Sequence, residues 1–143
     1  SQMLLASHIA GVGFSHTGLG LVHGIGHALG GQFNIPHGVA LCLVLEEVLK
    51  YNLPHRGARF ARLAFALGVG DTSKSDAQNA DAAIARIAEL VELVGLKGKL
   101  SDFGISKDHL ESLANDAVAD AVTLNNPVEP TRDEVVAIME KTL

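Results

Sequence analysis

The sequence predicts an all-α fold, a bundle-like domain of about seven helices. The apolar residues recur with a helical period along nearly the whole chain. Two segments that open with Ser75 and Thr131 have the form of capping boxes, in which Gln or Glu follows three residues later. Glycines such as Gly68 and Gly95 stand where apolar periods end, as expected for helix C-termini. These three observations agree on helices throughout.

The first half of the chain contains four predicted helices. Met3 to Phe14 is apolar with small residues, which predicts a buried helix. A glycine-rich helix follows from Leu19 to Phe33. His37 to Asn52 forms the third, because Pro36 suits a helix start and Pro54 comes just after its end. The fourth runs from Arg56 to Leu67.

The second half contains three more predicted helices. Ser75 caps a long amphipathic helix that ends at Gly95. Lys97 to Ile105 is expected to be a loop. Ser106 caps a helix that runs to about Thr123, and Thr131 opens a final helix that reaches Leu143.

Two glycines inside the second helix need a reason, because each costs about 1 kcal/mol relative to alanine in a helix. Gly24 and Gly26 could admit a ligand or another backbone at close range. Tight packing of one helix on another explains them equally well.

Three histidines carry the strongest chemical signal in the sequence. His23 and His27 are four residues apart, so a helix presents both imidazoles on one face. His37 follows a proline at a helix start, where the positive end of the helix dipole disfavours imidazolium. Neutral imidazoles bind divalent metals or move protons. Hydrogen-bonded structural histidines remain the alternative, since such a pair also arises by chance and no carboxylate is close in sequence.

The wider segment resembles the iron-dependent (group III) alcohol dehydrogenase family, whose second sequence signature has glycines and histidines in this order. The resemblance covers essentially the whole chain and implies the helical C-terminal domain of that dehydroquinate synthase-like fold, incomplete here. The residues that carry it are Phe14–Gly20, His23, His27, Leu29–Gly30, Pro36–Ala40, Tyr51–Asn52, Arg59–Ala64, Leu67–Val69 and Asn125–Thr131.

The resemblance implies roles for the three histidines. His23 and His37 match metal ligands of the family. His27 matches the histidine beside the nicotinamide, with a part in catalysis and cofactor binding. The implied cofactors are a divalent metal, with Fe²⁺ expected ahead of Zn²⁺, and NAD or NADP. The family's remaining ligands, an aspartate and a histidine of an earlier helix, have no counterpart in this sequence.

Two departures from the family pattern bear on substrate preference. His16 stands where the family often has asparagine, and Glu46–Glu47 replace a Pro-His pair found in many members. These positions are expected to face the substrate or a neighbouring domain.

Length and composition fit one domain with a packed core. The chain has 143 residues, 48% of them hydrophobic, and a formal net charge of −5. Its 11 basic residues are scattered, so no nucleic-acid surface is expected. A single cysteine, Cys42, fits the cytoplasm, where it is expected to be packed rather than reactive. No apolar run is long enough for a membrane span, and no secretion signal is visible.

The expected identity of residues 1–143 is a fragment: the C-terminal metal-binding helical domain of an enzyme whose N-terminal dinucleotide-binding domain is absent. No strand followed by G-x-G-x-x-G occurs. The parent enzyme would interconvert a small alcohol and an aldehyde or ketone by hydride transfer, as a homo-oligomer, and the chain alone would be inactive. Two alternatives stay open, a non-catalytic helical domain that self-associates and a small protein that binds metal through the three histidines alone.

Overall fold

The computed structural model describes residues 1–143, and it is helical with no strand, so the all-α prediction is confirmed. Short 3₁₀ helices at Leu100–Phe103 and Ala121–Asn125 join the later α-helices. The α-helices are α1 (Gln2–Thr17), α2 (Leu21–Phe33), α3 (His37–Ala66), α4 (Asp76–Leu93), α5 (Lys107–Ala119) and α6 (Arg132–Glu140).

Helix α2 lies at the centre of the fold, between α3 and α5. Its inner face is fully buried at Leu21, Ile25 and Leu29. These side chains join one core of 18 buried residues that also draws on α3, α5 and α6. Because the apolar side chains of α2 occupy this face, His23 and His27 are left on the opposite side, toward solvent. The core therefore fixes the direction in which the histidines point.

Helix α1 corrects one sequence prediction. It forms where expected, but it buries none of its residues. Met3 is 78% exposed and Leu4 is 72% exposed. The segment is apolar around its whole circumference, and such a pattern predicts burial without specifying the partner. No other helix of this chain covers it, so the prediction of a buried helix is wrong.

Helix α3 contains both the third and the fourth predicted helix, so the six α-helices agree with the prediction of about seven. The two helical segments meet at a kink, where Pro54 lies inside α3 and Arg56 is non-helical, with φ −140° and ψ 23°. Proline removes one backbone donor and clashes with the preceding turn, which bends a helix. The break predicted between Asn52 and Arg56 therefore coincides with this kink.

Three predicted boundaries also move. Helix α5 ends at Ala119, because Asp120 adopts an extended conformation and its carboxylate caps the 3₁₀ helix Ala121–Asn125. The final helix ends at Glu140 rather than Leu143. Part of the predicted loop, Leu100–Phe103, is a 3₁₀ helix. The capping boxes that open with Ser75 and Thr131 are both present, which confirms the starts of α4 and α6.

Two of the four glycines of α2, Gly24 and Gly26, are explained by packing. A Cβ on Gly24 would overlap the hydroxyl of Thr123 and lie 2.9 Å from the carbonyl oxygen of Ala117. A Cβ on Gly26 would lie 2.5 Å from Leu41 Cδ2. Both glycines therefore allow neighbouring elements to approach α2 closely.

None of the helices combines the length and apolar character that a membrane span requires.

Candidate metal centre

Two helices bring the three histidines together. His23 and His27 lie one turn apart on α2, and His37 is the first residue of α3. The ring centroid of His37 lies 5.4 Å from that of His23 and 5.5 Å from that of His27. The His23 and His27 centroids are 5.9 Å apart. The sequence-predicted site residues thus form one cluster, and the turn between α2 and α3 is what closes it.

The electrostatics of the cluster favour a neutral imidazole at His23. Burial lowers the pKa of His23, and the neighbouring His37 and His27 lower it further. Each adjacent positive charge would repel another, so the ring stays uncharged over a wider pH range. An uncharged ring nitrogen is the form that donates a lone pair to a metal.

The chain does not supply a metal shell by itself. No group of three or more His, Cys, Asp or Glu side chains is arranged so that it could hold an ion. Two imidazoles supply part of the four or more ligands that a transition metal takes. The donor chemistry of His23 and His37 fits a divalent metal, as one part of such a shell.

Asp120 is a site residue that sequence reasoning missed. Its Oδ2 lies 2.7 Å from Nδ1 of His27. Because a carboxylate only accepts hydrogen bonds, Nδ1 of His27 carries the hydrogen and donates it. Nε2 of His27 is then free to accept a proton, which is the arrangement of a general base held by a carboxylate.

The Asp120 carboxylate is itself held in place. Its Oδ1 accepts a hydrogen bond from the backbone N–H of Val122 at 3.0 Å. This bond, followed by the one from His27, lowers the pKa of Asp120. The carboxylate therefore stays ionised beside His27 at neutral pH.

An amide pair fixes the start of α2 against α3. The side chains of Asn52 and Asn126 exchange two hydrogen bonds, of 3.0 and 2.9 Å. Oδ1 of Asn126 also accepts a bond from the backbone N–H of Leu21 at 3.3 Å. This pair borders a groove of about 570 Å³ that reaches His23. The groove gives a small molecule access to the cluster.

The structure places the residues that depart from the family pattern outside the histidine cluster. Nδ1 of His16 donates to the carbonyl of Val12 at 2.8 Å, within α1. Glu46 and Glu47 both pair with Lys50, at 2.8 and 2.7 Å. Their expected influence on substrate preference stays a prediction.

The sequence matches known proteins over its whole length. Residues 1–143 match the family described as Fe-containing alcohol dehydrogenase, C-terminal. Lactaldehyde reductase of Escherichia coli (strain K12) is 37% identical over 137 residues, which are 96% of this chain and 36% of that protein. Alcohol dehydrogenase 4 of Schizosaccharomyces pombe (strain 972 / ATCC 24843) is 36% identical over 144 residues, 99% of this chain and 33% of that protein. The chain spans about a third of the length of these curated relatives.

The fold matches solved structures of the same group. The crystal structure of a 1,3-propanediol oxidoreductase superposes with a TM-score of 0.84 at 34% identity, over 87% of this chain and 33% of that one. Sequence and fold therefore agree, and the 143 residues belong to the Fe-containing alcohol dehydrogenase family as its C-terminal part.

Proposed function

We propose that this chain is the metal-binding part of an iron-type alcohol dehydrogenase that interconverts an alcohol and an aldehyde or ketone with NAD or NADP. The observation that carries the proposal is the cluster of three imidazoles, with centroids 5.4 to 5.9 Å apart, in a chain of this family. Since the chain spans about a third of its relatives, the activity is proposed for a protein of their length.

His23 and His37 would hold the divalent metal, with Fe²⁺ expected ahead of Zn²⁺. The neutral imidazole of His23 is suited to the task, because burial and repulsion by His37 and His27 oppose its protonation. When bound, such an ion acts as a Lewis acid toward an alcohol or carbonyl oxygen. The further ligands would come from outside these residues, in keeping with the incomplete donor set.

His27 would hold and move the proton, and it would border the nicotinamide. Asp120 fixes its tautomer through Nδ1, so Nε2 is the atom that takes up a proton. The imidazole is partly exposed, with 41% of its side chain accessible, so solvent or substrate can reach it. The nicotinamide supplies the hydride chemistry when it is bound.

A small hydroxylated compound is the proposed substrate class. The relatives include a lactaldehyde reductase and a 1,3-propanediol dehydrogenase, both named for compounds of this kind. The groove beside His23 offers a matching space bordered by small residues such as Gly20 and Gly38. The single free cysteine, Cys42, is compatible with the cytoplasm as the working compartment.

A self-associating helical domain is the second candidate. Helix α1 favours it, because its methionine, leucines and isoleucine are exposed in this chain. Exposed apolar surface of this extent usually has a partner. This candidate requires no metal and no cofactor.

Metal dependence of turnover tests the proposed function. A preparation of the protein at the length of its relatives should oxidise a short primary alcohol with NAD or NADP. Chelation should abolish turnover, and Fe²⁺ should restore it, because the metal polarises the reacting oxygen. The 143-residue chain measured beside it should show no turnover. Activity that survives complete metal removal would refute the proposal, and an inactive long form that only self-associates would favour the second candidate.

Replacing Asp120 by asparagine should lower kcat by roughly 10- to 100-fold, the range seen when the partner of a functional histidine is lost. The amide keeps the cap on Val122 but no longer fixes Nδ1–H of His27. Metal content and KM for the cofactor should change little. The matched control is Asp116→Asn, since Asp116 lies one turn away on α5 and binds only Gln32. Equal losses of kcat in Asp120→Asn and Asp116→Asn would mean that the hydrogen bond between His27 and Asp120 has no particular role in turnover.

A further inference from the structure

The first turn of α2 has no capping side chain of its own. The residue before it is Gly20, which offers no side-chain oxygen to the free backbone N–H groups of a helix start. Asn126 supplies the cap from a position 105 residues after Leu21, because its Oδ1 accepts from the backbone N–H of Leu21 at 3.3 Å. His23 lies in this same turn. The placement of its imidazole therefore depends on a distant amide.

The amide of Asn126 is fully engaged. Its Oδ1 also accepts from Nδ2 of Asn52 at 3.0 Å. Its Nδ2 donates to Oδ1 of Asn52 at 2.9 Å and to the carbonyl of Val128 at 2.8 Å. A primary amide offers two acceptor sites and two donor hydrogens, and all four are used here. Aspartate has the same size but no donor hydrogen when ionised, so it cannot replace this set.

The contact between Asn126 and the start of α2 requires a glycine. A Cβ on Gly20 would lie 3.2 Å from Oδ1 of Asn126 and 3.5 Å from its Cα. Any larger residue would press on the amide, whereas glycine lets the amide approach the backbone. The sequence thus combines a helix start that lacks its own cap with the space for a cap from elsewhere.

The amide pair joins the two helices that carry the proposed metal ligands. Asn52 belongs to α3, whose first residue is His37, and it is buried. The short connection between α2 and α3 follows Phe33, at the far end of α2 from His23. Apolar packing is non-directional, whereas hydrogen bonds fix direction. The pair is therefore the directional link that holds the His23 end of α2 against α3.

We propose that Asn126 is a positioning residue of the metal centre, which holds His23 beside His37 by capping α2 and bonding Asn52 of α3. It acts through the helix start, because it forms no hydrogen bond with either imidazole. The use of this spacing in metal binding rests on the proposed function, whereas the spacing itself does not.

Nuclear Overhauser effects between histidine ring protons of the metal-free 143-residue chain test this role. The rings of His23 and His37 should give cross-peaks, since their centroids are 5.4 Å apart. Asn126→Asp keeps the size of the side chain but removes both donor hydrogens and faces Oδ1 of Asn52 with an oxygen. It should lose most of the intensity of these cross-peaks, which falls steeply with distance. The cross-peaks between His23 and His27, within α2, should persist as the internal reference.

Asn125→Asp is the matched control. Asn125 precedes Asn126 and borders the same groove, but its side chain is exposed and forms no hydrogen bond within the chain. The substitution adds the same negative charge beside the groove and should leave the cross-peaks unchanged. Asn52→Asp breaks the amide pair from the side of α3 and should reproduce the loss. It keeps the test decisive if Asn126→Asp does not fold.

Metal binding by the protein at the length of its relatives gives a second readout, with Co²⁺ as the probe. The affinity should fall about tenfold in Asn126→Asp and less than about twofold in Asn125→Asp, since residues that orient metal ligands contribute to this extent. Unchanged cross-peaks between His23 and His37 in Asn126→Asp and Asn52→Asp would overturn the proposal. So would an equal loss in Asn125→Asp. Lost cross-peaks with unchanged Co²⁺ affinity would support the positioning role and count instead against His23 and His37 as the ligands.

Discussion

Replacing Gly24 by alanine is expected to destabilise the chain by roughly 3 kcal/mol, the upper range for overpacking at a closed contact. The added methyl group would overlap the hydroxyl of Thr123 and press on the carbonyl oxygen of Ala117 at 2.9 Å. That hydroxyl donates to the same carbonyl at 2.7 Å inside the protein, so displacing it also breaks a buried hydrogen bond. The gain in helix propensity, about 1 kcal/mol, offsets only part of this cost.

Urea denaturation followed by circular dichroism at 222 nm measures the effect, since the chain has no tryptophan. Gly31→Ala is the matched control on the same helix. Its Cβ would meet nothing within 4 Å, so it should stabilise the chain by up to about 1 kcal/mol. A Gly24→Ala variant as stable as Gly31→Ala would show that Thr123 can move away from α2 at little cost.

The Gly24→Ala substitution is also expected to affect His27, through the backbone between α5 and the following 3₁₀ helix. Ala117, Asp120 and Thr123 follow one another along that turn. A shift of Thr123 away from α2 would draw Asp120 away from His27. Packing at Gly24 and the geometry at His27 are thus coupled by a few residues of backbone.

Sequence reasoning predicts the elements of this fold well, because periodicity and capping are local properties. The starts of α4 and α6 follow from side chains three residues apart, and the structure confirms both. The kink in α3 is also local, since it follows Pro54, whereas the exposure of α1 is decided by packing. An apolar circumference is compatible with more than one tertiary arrangement.

The candidate site was predictable only in part, for the same reason. His23 and His27 share a helix face, so their proximity follows from spacing. Asp120 lies 93 residues after His27, and nothing in its own neighbourhood marks it as a partner. The one available signal was an earlier end of α5, at Asp120. The sequence pattern instead predicts that this helix continues to about Thr123. Only the packing of α5 on α2 brings the carboxylate to the imidazole.

Substitutions of the three histidines in the long form of the protein should have the largest effects on function. His23→Ala and His37→Ala should each weaken metal binding by at least about 100-fold, since each removes a donor that no nearby side chain replaces. His8→Ala is a control on exposed α1, away from the cluster, and should keep the full metal content. Metal analysis normalised to folded protein measures all three.

His27→Ala should behave differently from His23→Ala and His37→Ala. It should retain the metal and lose about 10²- to 10⁴-fold in kcat, the range for removal of a positioned acid–base group. The reason is that Asp120 engages Nδ1 and leaves Nε2 for the proton, while His23 and His37 are the residues proposed to hold the ion. If all three variants lose stability and keep their metal per folded molecule, the histidines are packing residues. If His27→Ala empties the site while His23→Ala stays loaded, the ligand and proton roles must be exchanged along α2.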